Sequence, residues 1–296
     1  MIWLVYSVLF SSGLFLIFKW LGHLKIGILP AIVVNYFTCF LVGNLIPGHQ
    51  HVFHKSYMGE EWFLPTLGMG FLFIAGFFSM GTATRKAGAA PASVASKMSV
   101  IVPAIVAIIL FSEQLNLWQI LGIVLSLVAV FLMVEPAESG KRIHHGLWLL
   151  VLVFLSSGAV DTGLNLLTHY YGGETDKYTT STIIFGTAGV LGMFTLFVLH
   201  LFGGKKDAAM KFGIATIFGG ILLGLVNYAS LIAMFSAIEF YKGKTAWFFA
   251  VNNIAVVAVS SILAAILFRE KHHRGAYFGL LLAVLALIFM NIDVVF

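Results

Sequence analysis

Long apolar segments separated by short polar ones fill the chain from its first residues to its last. Most are close to the ~20 residues that a helix needs to cross the hydrocarbon core of a bilayer. The segments are continuous rather than alternating, which excludes a membrane-spanning barrel of strands. The pattern therefore predicts ten membrane-spanning helices. Their approximate ranges are 2–19, 27–46, 62–84, 91–112, 117–134, 147–169, 178–202, 213–238, 245–268 and 275–293.

Short sequence matches indicate that one five-helix unit occurs twice. Leu110-Phe111-x-Glu113 is matched by Leu267-Phe268-x-Glu270, and Gly122 is matched by Gly279, all at a spacing of 157 residues. Both matches fall at the end of a predicted five-helix set, where an internal duplication would place them.

The duplication predicts the domain organisation. We expect a first five-helix repeat at 1–134, a loop between the repeats at 135–146 and a second repeat at 147–296. Most other connections are short, so no domain outside the membrane is predicted.

Composition supports an all-α integral membrane protein. Of the 296 residues, 60% are hydrophobic and only 10% are charged, and the mean hydropathy is +1.01. A soluble domain of this length would carry more charge. Met1 runs directly into an apolar segment, so no cleavable leader is expected. The net charge of +5 belongs to loops and does not indicate nucleic acid as a partner.

Loop charges bear on the orientation of the chain. The loops after predicted spans 1, 3, 5, 7 and 9 hold 12 Lys and Arg residues, and the loops on the other side hold four. The positive-inside rule then favours both termini outside; the opposite orientation, with both termini inside, stays open.

Asp161 is the acidic residue that lies well inside a predicted span. Ser157, Asp161, Asn165 and Thr168 follow one another at helical spacing on one face of the sixth span. A polar face on a membrane helix is typical of a bundle interior or a wet cavity. Asp161 is therefore a candidate for binding a substrate cation or a coupling proton; the alternative is a structural pairing with Lys97 or another donor.

Lys97 is the basic residue inside a predicted span. A charge at mid-membrane costs about 2.5–3.5 kcal/mol on insertion scales, so it needs water or a partner. Facing a cavity, Lys97 would suit a substrate carboxylate or phosphate. The alternative is that its long side chain extends along the helix to the nearer membrane surface.

Amide and aromatic side chains in other spans complete the candidate substrate site. Together they would offer hydrogen bonds to a polar metabolite and aromatic faces to cations or rings. The alternative is hydrogen bonding between helices, worth about 0.6 kcal/mol on average. Trp247 lies near a span end, where an interface anchor is also typical. The candidates are Asn35, Tyr36, Asn165, Asn227, Tyr228, Trp247, Asn252 and Asn253.

No catalytic, metal or cofactor site is predicted. The loop sequence HQHVFH holds His49, His51 and His54, but no acidic or cysteine ligand completes a metal site. The single cysteine, Cys39, lies in an apolar segment. Motifs for zinc proteases, serine hydrolases and phosphate-binding loops are missing from the sequence.

The repeat motifs resemble the drug/metabolite transporter superfamily, and its EamA-like branch above all. The resemblance covers essentially the whole chain, with Arg85–Ala92 similar to the link between the third and fourth spans. It implies two inverted five-helix repeats around a central cavity and alternating access by rocking of the halves. The other residues that carry it are Pro103, Leu110-Phe111-Ser112-Glu113, Gly122, Leu267-Phe268-Arg269-Glu270 and Gly279.

The sequence thus predicts a secondary transporter of a small polar metabolite in a bacterial-type inner membrane. With Lys97 facing a carboxylate and Asp161 facing an amine, an amino acid or similar zwitterion is the expected substrate, and export is the expected direction. A quaternary or aromatic amine is the alternative substrate. A membrane-embedded enzyme or a sensor is a more distant alternative. The expected partners are the small-molecule substrate and the lipid bilayer, with monomer and homodimer both open.

Overall fold

The protein is helical throughout the part that the structure describes. The computed structural model describes residues 2–46, 55–99, 101–102, 106, 116–132, 141–171, 177–202, 212–241, 245–269 and 274–290. These residues form ten α-helices and one short 3-10 helix at Lys55–Gly59, and they contain no strand. The α-helices are α1 (Ile2–His23), α2 (Ile28–Leu45), α3 (Phe63–Lys86), α4 (Ala89–Met98), α5 (Leu117–Leu132), α6 (Lys141–Tyr171), α7 (Lys177–Phe202), α8 (Ile214–Phe240), α9 (Thr245–Phe268) and α10 (Arg274–Met290).

Within the described residues, seven helices are long and apolar enough to cross a membrane. The prediction of an all-helical, multi-pass membrane protein is therefore confirmed. The seven helices are α1, α2, α3, α6, α7, α8 and α9.

Ten spans and an inverted repeat stay predictions. As described, α4 has 10 residues, α5 has 16 and α10 has 17, all fewer than the ~20 of a complete crossing. Residues 103–105 and 107–115 of the predicted fourth span lie outside the described residues, and so do Pro103, Glu113 and Glu270.

The sixth helix begins earlier than its apolar segment. Its predicted start was residue 147, whereas α6 begins at Lys141. The first residues of α6 are Lys141, Arg142, His144 and His145, which are polar but compatible with a helix. Hydropathy locates only the apolar part of such a helix, so the prediction missed this first turn and a half.

The described chain divides into two compact units. Unit 1 consists of Met1–Lys19, Ser79–Gly158 and Ala229–Phe296, and unit 2 consists of Trp20–Phe78 and Ala159–Tyr228. Each unit therefore combines segments from both predicted repeats. The boundaries of the repeats along the sequence stay a prediction.

In unit 2, α2 and α8 are packed closely through two glycines. A Cβ atom on Gly220 would lie 2.8 Å from the carbonyl oxygen of Ala31, and one on Gly224 would lie 2.7 Å from that of Asn35. These separations are shorter than ordinary van der Waals contacts. The GxxxG spacing thus brings the two backbones together, as small residues do in membrane helix pairs.

The other side of α2 packs against α7, also through glycines. Gly186 faces Phe40, Gly189 faces Phe37, and Gly192 faces Val33. Residue numbers rise along one helix as they fall along the other, so the two helices are antiparallel. The missing side chains of α7 leave room for the phenyl rings of α2.

In unit 1, α5 makes its most extensive contact with α10, and α4 makes its most extensive contact with α9. Trp118 of α5 and Phe289 of α10 have ring centroids 5.5 Å apart. Gly88 separates α3 from α4 with a φ of 111°, a left-handed conformation that glycine adopts without strain. Gly88 therefore allows the chain to turn between the end of α3 and the start of α4.

In unit 2, α1 ends in a Schellman motif. The amide of Ile26 donates to the carbonyl of Leu21 at 3.1 Å, and the amide of Lys25 donates to that of Gly22 at 3.0 Å. Lys25 adopts a φ of 55°. Leu21 and Ile26 are buried, and both lie against Gly219 of α8.

Candidate functional site

Asp161 is exposed on α6, but it does not lie on the exposed apolar face of that helix. Trp148 and Leu155, which are exposed, form that apolar face. At about 100° per residue, Asp161 is about 140° around the helix from Trp148 and about 120° from Leu155. The carboxylate is thus directed away from the side that is typical of lipid contact.

The residues just before Asp161 on α6 contact α4 in unit 1. The hydroxyl of Ser157 donates to Ser96 Oγ at 3.1 Å. A Cβ on Gly158 would lie 2.5 Å from Val102 Cβ and 3.2 Å from the carbonyl oxygen of Ser99. The polar face of α6 that the sequence predicted therefore begins at a close helix–helix contact.

Lys97 lies in the last turn of α4 and is half-buried. The preceding residues Ala89–Ala95 are fully enclosed, and Ser93, one turn before Lys97, accepts a hydrogen bond from Ser260 Oγ at 2.7 Å. Lys97 belongs to unit 1 and Asp161 belongs to unit 2. A joint role of the two charges in one site stays a prediction.

Two predicted amide residues meet in unit 2. Asn227 Nδ2 donates to Asn35 Oδ1 at 3.2 Å, and both side chains are buried. Cys39 is hydrogen-bonded beside them: its thiol donates to the carbonyl oxygen of Gly224 at 3.3 Å and approaches Asn35 Oδ1 at 3.9 Å. This cluster joins α2 to α8.

Aromatic rings line the same unit. Tyr36 and Phe185 are stacked with centroids 5.9 Å apart, and Phe185 also contacts Phe73 at 5.9 Å and Tyr228 at 6.2 Å. The Tyr36 hydroxyl donates to the carbonyl oxygen of Phe73 at 2.6 Å. The predicted residues Asn35, Tyr36, Asn227 and Tyr228 are thus brought together in one unit.

Asn252, another predicted residue, lies in unit 1 against α1. Its Oδ1 accepts a hydrogen bond from Ser7 Oγ at 2.9 Å. One turn further along α1, Ser11 pairs with Ser230 of α8 at 2.9 Å, and Ser12 donates to the carbonyl oxygen of Val256 at 3.4 Å. Asn253 is half-buried.

Sequence reasoning missed the serines of α1 as partners of this site. Ser7 and Ser11 are spaced i, i+4 and therefore share a helix face, which is the signal that could have identified them. Serine is small and weakly polar, so hydropathy did not single it out.

The remaining candidates lie partly or wholly outside the described residues. The helices that contain Asn165 and Trp247 are described, but those side chains are not. His49, His51 and His54 lie outside the described residues altogether. Among the residues that are described, no group of three or more His, Cys, Asp or Glu side chains could hold a metal ion.

Part of the chain matches a known protein family, and two known proteins are similar to nearly all of it. Residues 1–135 match the model of the EamA-like transporter family. An uncharacterized protein of Haemophilus influenzae is 23% identical over 289 residues, which cover 96% of this chain and 95% of that protein. A solved crystal structure of a protein with 12% sequence identity has a TM-score of 0.55 and covers 97% of this chain and 98% of the other. This last likeness shows the fold alone.

The first five predicted spans, which hold Lys97 and most of the motifs of the first repeat, fall within the matched residues. The transporters of this family are not enzymes, in agreement with the sequence prediction. The resemblance of the sequence to the EamA-like transporters of the drug/metabolite transporter superfamily is therefore confirmed over residues 1–135.

Proposed function

We propose that the protein is a secondary transporter that exports an amino acid or a similar zwitterion across a bacterial inner membrane. It works by alternating access between two inverted five-helix repeats around a central cavity. The observation that carries the proposal is the match of residues 1–135 to EamA-like transporters. The seven described helices that are able to cross a membrane support it.

The two intramembrane charges are assigned to the two ends of the zwitterion. Asp161 binds the amine, because its carboxylate is exposed on a side of α6 away from Trp148 and Leu155. Lys97 binds the carboxylate from the half-buried end of α4. Ionisable groups in membrane helices are costly, and function is the usual reason for their presence.

Asp161 is also the candidate for proton coupling. The first predicted span, 2–19, holds no acidic residue, so within the candidate site the exchangeable proton is assigned to Asp161. Substrate amine and proton would then compete for one carboxylate, which couples their movements.

Transport by purified protein in proteoliposomes tests the proposal. Lys97→Ala and Asp161→Asn each remove one charge-assisted interaction, worth about 1.5–3 kcal/mol, so kcat/KM should fall roughly 10- to 100-fold for a labelled amino acid. Lys86→Ala and Glu61→Gln are the matched controls, because both side chains are exposed and lie outside the candidate site. Their transport should equal that of the wild type.

Two results would contradict parts of this assignment. If both charge-removing variants transport like the wild type, the charges do not bind substrate. If choline competes with the labelled amino acid while acetate and other anions do not, the substrate is the quaternary or aromatic amine, and Lys97 is structural.

A further inference from the structure

The first helices of the two predicted repeats carry the same three-residue sequence. Ser11-Ser12-Gly13 in α1 and Ser156-Ser157-Gly158 in α6 are 145 residues apart. Each lies near the middle of an apolar segment that is long enough to cross a membrane, namely Ile2–His23 in α1 and Gly146–Leu164 in α6. The two sequences therefore occupy corresponding places, and their contacts can be compared directly.

The first serine of each sequence is hydrogen-bonded to a serine in the third helix of the other predicted repeat. In α1, Ser11 Oγ lies 2.9 Å from Ser230 Oγ of α8. In α6, Ser156 Oγ lies 2.7 Å from Ser79 Oγ of α3. Either hydroxyl of such a pair can donate, so the bond tolerates small changes in helix tilt. The same contact thus occurs twice, once for each predicted repeat.

The residues that follow pack against the fourth helix of the other predicted repeat. Ser12 Oγ donates to the carbonyl oxygen of Val256 in α9 at 3.4 Å. A Cβ on Gly158 would lie 3.2 Å from the carbonyl oxygen of Ser99 in α4. Ser99 and Val256 are 157 residues apart, which is also the spacing of the repeat motifs. Corresponding carbonyl groups are therefore contacted in both halves.

These contacts assort six helices into two groups that differ from the predicted repeats. The α1 group consists of α1, α8 and α9, and the α6 group consists of α6, α3 and α4. All the contacting residues belong to unit 1, in which α4 and α9 also join the two groups: Ser260 Oγ donates to Ser93 Oγ at 2.7 Å. Alternating access exchanges the conformations of inverted repeats, so a contact made equivalently in both is retained by the exchange.

We propose that α1 moves together with α8 and α9, and that α6 moves together with α3 and α4, when the protein changes between its two conformations. The inference rests on the proposed transport function and identifies the moving bodies within it. The first helix of each predicted repeat then moves with the opposite repeat. The bond between Ser93 and Ser260 breaks during each cycle, whereas the serine pairs within the groups stay intact.

Reversible disulfides at three serine pairs test the inference in proteoliposomes. The Oγ atoms of all three pairs are 2.7–2.9 Å apart, so their Cβ atoms lie near the ~3.5–4.5 Å that a disulfide needs. Cys39→Ala is the background, because it removes the only native thiol. Copper phenanthroline closes each disulfide, dithiothreitol opens it, and maleimide labelling of the denatured protein measures closure. The double variants are Ser11→Cys/Ser230→Cys and Ser79→Cys/Ser156→Cys within the groups, and Ser93→Cys/Ser260→Cys between them.

Within a group, the disulfide should leave transport of a labelled amino acid equal to that of the reduced form within about twofold, because the linked helices move together. Between the groups, oxidation should lower transport at least about tenfold, and dithiothreitol should restore it. The between-group variant is the matched control, since its serine pair has the same chemistry and spacing. If a within-group variant is inactive even when reduced, Ser96→Cys/Ser157→Cys replaces it, because these two hydroxyls also join α4 to α6, at 3.1 Å.

Each other result has a defined meaning. Arrest of transport by a within-group disulfide, or undiminished transport with the between-group disulfide closed, would overturn the inference while the transport function stands. A wild type that moves no labelled amino acid overturns the proposed function and this inference with it.

Discussion

At the scale of single residues, the backbone angle of Lys25 determines how the chain leaves α1. Its φ of 55° lies in the left-handed region, which costs residues with a side chain about 1–2 kcal/mol relative to the right-handed one. Lys25 is held in this conformation by the two hydrogen bonds of the Schellman motif and by the burial of Leu21 and Ile26.

Replacing Lys25 by glycine should therefore stabilise the protein. The strain disappears, and part of that gain is offset by the greater freedom of glycine in the unfolded chain, so the net effect should be about 0.5–1 kcal/mol. Thermal unfolding in detergent measures it. Lys25→Ala is the control, since it removes the charge but keeps the strain. A gain of equal size in that variant would assign the effect to charge instead.

The amide of Asn252 gives a second prediction at this scale. Its hydrogen bond to Ser7 joins α9 to α1 at 2.9 Å, and bonds of this kind between membrane helices average about 0.6 kcal/mol. A double-mutant cycle with Ser7→Ala and Asn252→Leu should give a coupling energy of that order in thermal unfolding. A coupling near zero together with a large loss of transport would place Asn252 in the substrate site rather than in helix packing.

At the scale of helices, α2 is held between two glycine-lined partners. Its contact with α8 depends on Gly220 and Gly224, and its contact with α7 depends on Gly186, Gly189 and Gly192. In a membrane, close packing rather than hydrophobic burial drives helix association. Because these glycines have no side chain, α2 can pack closely against α7 and α8 in unit 2.

Gly224→Ala should destabilise the protein by about 1–3 kcal/mol, because the new Cβ would lie 2.7 Å from the backbone oxygen of Asn35 and must push α2 away. Gly68→Ala is the matched control: this glycine lies inside α3, and a Cβ there meets nothing within 4 Å. It should stabilise by about 0.5–1 kcal/mol through helix propensity. Equal losses in both variants would contradict the packing explanation.

At the scale of the whole molecule, the described units do not follow the order of the sequence. Unit 1 takes residues from both ends of the chain and from its middle, and unit 2 takes the rest. The helices α1, α3, α6 and α8 each contribute to both units. Residues from both predicted repeats therefore contribute to the stability of each unit.

Orientation is also a property of the whole molecule. The excess of Lys and Arg in the loops after spans 1, 3, 5, 7 and 9 predicts that both termini are outside the cytoplasm. An alkaline phosphatase fused to the C-terminus should then be active in a bacterial host, and a fluorescent protein that folds only in the cytoplasm should be dark. The opposite pair of signals would reverse the orientation.

The sequence predicted the features that depend on local composition. Helix content and the membrane class follow from long apolar segments. The polar face of α6 stays a prediction, because the side chains of Asn165 and Thr168 lie outside what the structure describes. The partners of Asn35, Asn227 and Asn252 could not be predicted, because they depend on contacts between residues about 190 to 245 positions apart. The early start of α6 was missed because polar residues carry no hydropathy signal.

The burial of Cys39 bears on how conformational changes of the protein can be measured with cysteine labels. It is the only sulfhydryl in the chain, it is enclosed at the crossing of α2 and α8, and its hydrogen is held by the Gly224 carbonyl. A maleimide should react with it only when these two helices separate. Fluorophores or spin labels attached through a cysteine placed at an exposed position such as Glu61 would then report on motion with little background from the native thiol.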